Sequence, residues 1–314
     1  MKFARREPSP PTPDTVIWRY LEDWKFEDLL MRFTEHDQWP NKNGKRKVHH
    51  NEPGQMWFAF PRTFEDEKEG HFPDANDDPE VYCDRMAARM GLSEEEARNR
   101  KERFLAADTQ TMRDAIFSMA QICGVSCWSA SNCESAEMWF NFVSSPNGVA
   151  IRSTCAQVEH ALTHAHNTPA RKAKPSICAV GYVDHSSYFL AEDGFRNLLA
   201  IVQESWSYEN EVRFVAKSPA LAAIPTQVSK PGIVETLSAK EKQEHIATVA
   251  EQARTAYVAL RQSRSEGFHL PIDLAGMIAE IVLKPGSSQE YSTIVRDLVG
   301  KANLGSVPIR TSSL

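Results

Sequence analysis

The residues most able to do chemistry lie in Ser205–Lys217, read SWSYENEVRFVAK. Glu209, Glu211 and Arg213 stand at alternate positions where an apolar strand through Val212, Phe214 and Val215 begins. A strand sends alternate side chains to one face, so this spacing predicts two carboxylates and a guanidinium side by side. Trp206 and Tyr208 lie just upstream. The set reads in two ways. It is a salt-bridged ladder on an exposed strand face, since charges mostly stay in water, or it is a polar cluster in a cleft, with aromatic walls for a planar ligand group.

The elements that must position these residues follow from periodicity. Thr15–Tyr20 is rich in β-branched and aromatic residues and reads as a strand. Trp24–Phe33 has helical spacing, with Phe26, Leu29, Leu30 and Phe33 on one face. Pro40–Asn51 is a basic polar loop, which reads as solvated or, less simply, as phosphate-binding. Gln55–Pro61 reads as a strand leading into an acidic turn that holds Asp66 and Glu69. Pro79–Ala120 is helical in character, and Ser93 with Glu96 forms a capping box. Ile122–Trp128 reads as a buried strand ending at Ser129-Ala130-Ser131, and Glu134–Val143 as a short helix. Val149–Ser153 is a further strand and Cys155–His166 a helix. His160, His164 and His166 fall close together there, without an acidic or Cys partner at metal-ligand spacing.

Ser176–Asp184 reads as one strand and Gly194–Ile201 as a helix. Pro219–Gly232 is a loop, and Ser238 to Arg264 a long amphipathic helix. Leu274–Glu280 reads as a helix, Ile281–Leu283 as a strand, Glu290–Val299 as a helix and Val307–Arg310 as a last short strand. Strands and helices mix without strict alternation. The expected class is α+β: a central mixed or antiparallel sheet with peripheral helices. Residues 1–14 read as a flexible arm and 15–314 as one α+β domain, with helical insertions near 76–120 and 238–265.

With 41% hydrophobic and 25% charged residues, the 314-residue chain has an ordinary globular mix. Its net charge of -6 argues against a mainly electrostatic nucleic-acid binder. No apolar run approaches the about 18 residues that cross a bilayer, and the basic, Pro-rich start lacks the apolar stretch of a secretory signal. The six cysteines lack a CxxC pair and are expected reduced and mostly buried. Together these features point to the cytoplasm.

Several motifs in order carry a resemblance. Trp18-Arg19-Tyr20 with Phe26 and Leu29-Leu30, then Phe64-Glu65-Asp66 with Glu69-Gly70, open it. Cys127-Trp128, the run Glu134–Trp139, Gly148–Ile151 and Ser153-Thr154 form its most distinctive block. Tyr208–Arg213 and Ser312-Ser313-Leu314 complete it. The chain thereby resembles, over nearly its whole length, a bacterial family catalogued as domain of unknown function number 2971. It departs from that pattern where Glu67 replaces the usual proline after Phe-Glu-Asp, and in extra material before Gln55 and after Ser238. The family resemblance implies no particular activity.

A second resemblance lies in the order of the polar motifs. Arg19 on a first strand, Ser129 and Ser131 at the end of a middle strand, and Glu209 and Glu211 on a late strand are similar to the arginine–serine–glutamate pattern of ADP-ribosyltransferases. That resemblance implies an ADP-ribosyltransferase-like fold and NAD as substrate, with no metal. Arg19 would grip the pyrophosphate through charge-assisted bonds. The serines would hold neighbouring groups in register. Glu211 would stabilise the cationic ribose carbon as nicotinamide leaves, and Glu209 would orient or deprotonate the acceptor. Trp128, Trp206 or Tyr208 would stack on nicotinamide, and Glu137 is a further candidate for the site. The acceptor would be a macromolecule, and the setting a bacterial toxin or phage-defence effector with an operon-encoded partner.

Two other classes compete. Asp66, Glu69, Glu209 and Glu211 could gather round a divalent cation, as in a metal-dependent nuclease. Alternatively, the same acidic and aromatic cluster serves a non-catalytic binding or sensor module. A serine hydrolase is disfavoured, because there is no GxSxG and no His in the motif blocks.

Overall fold

A computed structural model describes residues 10–30, 54–76, 78–89, 91–106, 109–164, 175–190, 195–218 and 239–314. Residues 1–9 of the expected arm, the basic loop Pro40–Asn51, the loop Pro219–Gly232 and His166 lie outside the described residues.

The elements run β1 (Val16–Glu22), α1 (Asp23–Leu30), β2 (Gly54–Ala59), α2 (Pro79–Arg89), α3 (Glu94–Ala106), α4 (Thr109–Gln121), β3 (Cys123–Ala130), α5 (Ala136–Phe142), β4 (Gly148–Thr154) and α6 (Cys155–His164). They continue with β5 (Ser176–Ala179), β6 (Gly181–Val183), α7 (Phe195–Leu198), β7 (Ile201–Gln203), β8 (Glu211–Lys217) and α8 (Ala239–Gln262). The remainder is β9 (Gly267–Ile272), α9 (Leu274–Met277), β10 (Glu280–Leu283), α10 (Gln289–Lys301) and β11 (Ile309–Thr311). The class is α+β, with helices packed about a mixed sheet. The capping box before α3 forms as its sequence dictates: Glu96 Oε2 accepts from the Ser93 N–H at 2.9 Å, and Ser93 Oγ accepts from the Glu96 N–H at 3.4 Å.

Among the described residues nine strands form one sheet, whose main path runs β11-β10-β4-β1-β3-β2-β9. Strand β3 is its hub. Along one edge it pairs with β8, from Cys123 opposite Lys217 to Ser129 opposite Glu211. Along the other edge it pairs twice, with β2 at Val125 and with β1 at Ser129 and Ala130. The sheet therefore forks beside Ser126–Trp128. Most pairs are antiparallel, and β10–β11 is parallel. A separate two-stranded parallel sheet joins β6 to β7.

One face of the sheet carries the larger core, where Ile17, Phe58, Trp128, Phe214 and Ile281 pack with Phe26 of α1, Val158 of α6 and Val295 of α10. The opposite face carries two smaller cores. Val125, Val215, Leu198 and Leu199 make one with Ala253 of α8. Trp18, Tyr20, Ala150 and Val282 make the other with Met138 and Trp139 of α5. No helix among the described residues is long and apolar enough to cross a membrane.

Several expected elements change. The strand expected over Ser176–Asp184 breaks at Val180 into β5 and β6, which belong to different sheets. The helix expected over Gly194–Ile201 is one turn, α7, and Ile201 already starts β7. The helix expected over Leu274–Glu280 stops at Met277, and Glu280 opens β10. Strand β9 has no clear alternation and contains Pro271. That proline is tolerated because β9 pairs only with β2 and lies at the edge of the sheet.

Candidate functional site

The expected ladder of Glu209, Glu211 and Arg213 on one strand is interrupted. Glu204–Glu209 is a 3-10 helix, and Asn210 follows it with φ 42°, in the left-handed region. Asn is among the few residues that enter this region at low cost. Its backbone N–H donates to the Ser207 carbonyl at 3.3 Å, and its side-chain amide donates to the Ala130 carbonyl. Strand β8 starts one residue later. Glu211 and Arg213 therefore share a strand face, while Glu209 approaches them from the end of the turn. That face is buried rather than exposed: Glu211 is 4% and Arg213 3% accessible.

Arg213 is held on every side. Its Nε donates to Glu211 Oε2 at 3.0 Å, and its Nη2 lies 2.9 Å from the same oxygen. Nη1 donates to Glu69 Oε1 at 2.5 Å and to the Leu199 carbonyl at 2.8 Å, and Nη2 to Glu69 Oε2 at 3.0 Å. The guanidinium carbon stands 5.7 Å from the Phe64 ring centroid. Cys127 on β3 and Cys178 on β5 flank Arg213 in register. Burial and the Glu211 charge push the Cys127 thiol well up, and burial takes Cys178 to about 11. Both are therefore inert thiols rather than nucleophiles.

Glu69 reaches this place from the acidic turn after β2. Gly70 follows with φ 69°, and the Gln121 amide donates to the Glu69 and Gly70 carbonyls at 3.4 and 3.5 Å. Asp66 is used elsewhere: Oδ1 accepts from the Lys68 N–H of its own turn at 2.9 Å, and Oδ2 from the Gln203 N–H of β7 at 3.3 Å. Two carboxyl groups, Glu69 and Glu211, thus grip one guanidinium, and Glu209 feels it through charge. Burial pushes Glu69 up to about 7 against the pull of Arg213. Burial, then the Glu211 charge, pushes Glu209 up to about 8. A carboxyl with its proton poised near neutral pH is the kind used in acid–base chemistry.

Glu211 is the least satisfied of the three. Its backbone N–H donates to the Tyr182 hydroxyl at 2.7 Å and the Cys127 thiol lies within reach of its carboxyl, but its buried Oε1 has no partner in ordinary hydrogen-bond geometry among the described residues. Buried polar atoms are nearly always paired, so an unpaired carboxylate oxygen marks a place for a donor.

The other sequence candidates divide between the two faces. Ser129 lies opposite Glu211 in register and is buried on its face. Tyr208 packs near Trp18 and Tyr20, its hydroxyl bonded to the Glu209 carboxyl. Trp206 lies 6.2 Å from Tyr208, ring to ring. Glu137 is exposed on α5 and acts on Tyr208 through its charge. Ser131 is spent on its own turn: Oγ accepts from the Cys133 N–H at 3.2 Å, and its carbonyl accepts from Trp18 Nε1 at 2.9 Å. Helix α5 is capped by Ser135.

Arg19 and Trp128 do not join this cluster. Trp18 pairs with Ser129, so the next residues along each strand, Arg19 and Trp128, point to the opposite face. There the Arg19 guanidinium carbon stands 5.7 Å from the Trp128 ring centroid. One cleft built from Arg19, Ser129, Glu209 and Glu211 is thus replaced by two polar sites, back to back across β3.

Sequence reasoning weighed Glu69 only as a metal ligand and missed its ion pair with Arg213. No local pattern signals a contact across 144 residues of chain. Tyr182 carried no signal either. Among the described residues, no group of three or more His, Cys, Asp or Glu is arranged to hold a metal ion. No protein-family model, curated protein or solved structure matches this chain.

Proposed function

We propose that the chain is an enzyme that transfers ADP-ribose from NAD to a macromolecular acceptor, working at the Glu209–Glu211 face of the sheet. The unpaired Oε1 of Glu211 carries this reading. Arg213 fixes the other oxygen, so the free one has a set direction and can accept from a ribose hydroxyl. In the reaction, the bond between the ribose carbon and nicotinamide nitrogen breaks, and its electron pair leaves with nicotinamide. The Glu211 carboxylate stabilises the cationic ribose carbon. The acceptor's nucleophile bonds to that carbon, and its proton passes to Glu209 in the ionised form of that carboxyl, a form that gains as pH rises towards 8. Either ring of the tilted Trp206–Tyr208 pair offers a face for nicotinamide. Arg19 is left out, because it faces the other way. The motif blocks are the ground for a resemblance to the domain-of-unknown-function family 2971, and the kind of chemistry suggests a bacterial toxin or defence role, with an operon-encoded partner.

The complete set of acceptors round Arg213 favours a second reading, a non-catalytic binding or sensor module in which the ionic cluster only shapes the surface beside it. Calorimetric titration of NAD into wild type and Glu211→Gln separates the two. Binding to both, with nicotinamide release from wild type alone, supports the transferase. Binding to neither at millimolar NAD sinks it.

A further inference from the structure

The fork of the sheet holds a set of donors without acceptors. Arg19 projects into it from β1. Its one hydrogen bond among the described residues, from Nη2 to the Trp57 carbonyl of β2, is 3.5 Å long and bridges the two strands that diverge from β3. A guanidinium has five N–H groups to satisfy. Asp28 lies near enough to act on Arg19 through its charge, but its carboxylate is bonded elsewhere, to His269 Nε2 at 2.8 Å and Gln55 Nε2 at 3.2 Å. Burial takes Arg19 down to about 10, so it remains a cation at neutral pH with no counter-ion in contact among the described residues.

Two further donors share this face of β3. Trp128 Nε1 and Ser126 Oγ are both buried without a hydrogen-bond partner, on residues only 2% and 1% accessible. The side chains of residues 126 and 128 project to one face by strand alternation, and Arg19 stands over the Trp128 ring. Neither β1 nor β2 pairs with β3 beside Ser126 and Trp128. Leaving an indole N–H, a hydroxyl and most of a guanidinium unpaired costs free energy at each group. What they share is the need for an acceptor, and no carboxylate of the described chain supplies one.

We propose that the fork between β1 and β2 is a binding site for an oxyanion, the phosphate or carboxylate group of a small ligand, held by Arg19, Trp128 Nε1 and Ser126 Oγ. The guanidinium stands on the β1 side of the fork, over the Trp128 ring, and the buried indole and hydroxyl lie on β3. The site lies across β3 from Glu211 and does not depend on the transferase reading.

The test is calorimetric titration of inorganic phosphate and, separately, formate into wild type, Arg19→Gln, Ser126→Ala and Trp128→Phe. Saturable binding of either anion by wild type is expected, and which anion binds more tightly identifies the group recognised. Arg19→Gln should weaken it roughly tenfold or more, as loss of a charge-assisted bond does. Ser126→Ala and Trp128→Phe should each weaken it by about three- to tenfold, the effect of one neutral hydrogen bond. Circular dichroism checks that each variant is folded. If Arg19→Gln does not fold, the two neutral variants decide: unchanged affinity in both overturns the site. No binding of either anion at millimolar concentration, or binding that a folded Arg19→Gln retains in full, also overturns it.

Discussion

Arg213 and Glu69 meet through two parallel contacts, Nη1 to Oε1 at 2.5 Å and Nη2 to Oε2 at 3.0 Å. Both side chains are at most 4% accessible, so water neither screens nor replaces the pair. Removing one partner of a buried pair leaves the other uncompensated, which typically costs about 3–5 kcal/mol. Arg213→Met should lose about that much, since it strands both Glu69 and Glu211. Glu69→Gln keeps an acceptor and leaves Arg213 with Glu211, so it should cost less, about 1–3 kcal/mol. Urea denaturation measures both; a midpoint for Arg213→Met equal to that of wild type would contradict the network's role.

Glu209 gives stability a definite pH dependence. Its ordinary value is 4.5, and in the folded protein it rises to about 8. Between those values the folded state holds a proton that the unfolded chain has lost. The contribution is therefore fully present below about pH 4.5 and fades as pH climbs towards 8. Glu69, raised to about 7, acts in the same sense over a narrower range. Glu209→Gln should flatten the stability profile between those limits, and its advantage over wild type should grow with pH. Denaturation curves at pH 5, 6, 7 and 8 check the sign; a profile as steep as that of wild type would count against the assignment.

His185 works in the opposite sense. It is 2% accessible, and neither ring nitrogen has a hydrogen-bond partner. Burial lowers its pKa below 6.5, so stability that is present above that value is lost as pH falls through the unfolded and then the folded value. His185→Leu replaces an unpaired polar ring with an apolar side chain of similar volume. It should leave stability at neutral pH unchanged or raise it by about 1 kcal/mol, with a larger gain at pH 5. Thermal unfolding at the two pH values tests this, and a loss at both would show that the ring nitrogens do have partners in solution.

The left-handed residue between turn and strand is a mechanical joint. Asn210→Val should cost about 1–2 kcal/mol in backbone strain, plus the amide contact to Ala130. Asn210→Gly should keep the backbone geometry and lose only the amide contact. If both variants unfold at the same denaturant concentration, strain at this residue is not what sets the strand's start.

Much of the framework could be read from local pattern. The alternation of β1, the buried run of β3 and the Ser93–Glu96 box each specify their own geometry within a few residues. The acidic strand could be recognised as chemically unusual, and Glu211 with Arg213 does share a face as spacing required. Two things were hidden. The left-handed turn at Asn210 displaced Glu209 from the strand, and asparagine alone does not announce that choice. The face each residue occupies in the assembled sheet depends on register, and register is set by non-local pairing. Arg19 and Ser129 looked like partners in a linear order of motifs, yet the ladder of β1 on β3 sends them to opposite sides.

The forked hub also bears on how the chain reaches this state. Strand β3 gains its neighbours from β1 near the start of the chain, from β2 upstream and from β8 downstream, while β2 must find β9 at Gly267–Ile272. None of these ladders is a tight hairpin. Each requires closing a long loop before any reward, and chains dominated by such pairings fold in milliseconds to seconds rather than microseconds. Until β3 is flanked on both edges, its apolar run presents open backbone groups to any other strand in reach. Dilute conditions and a slow refolding phase are the expected signature, with the crowded moment of assembly falling at the same strand that later separates the two polar sites.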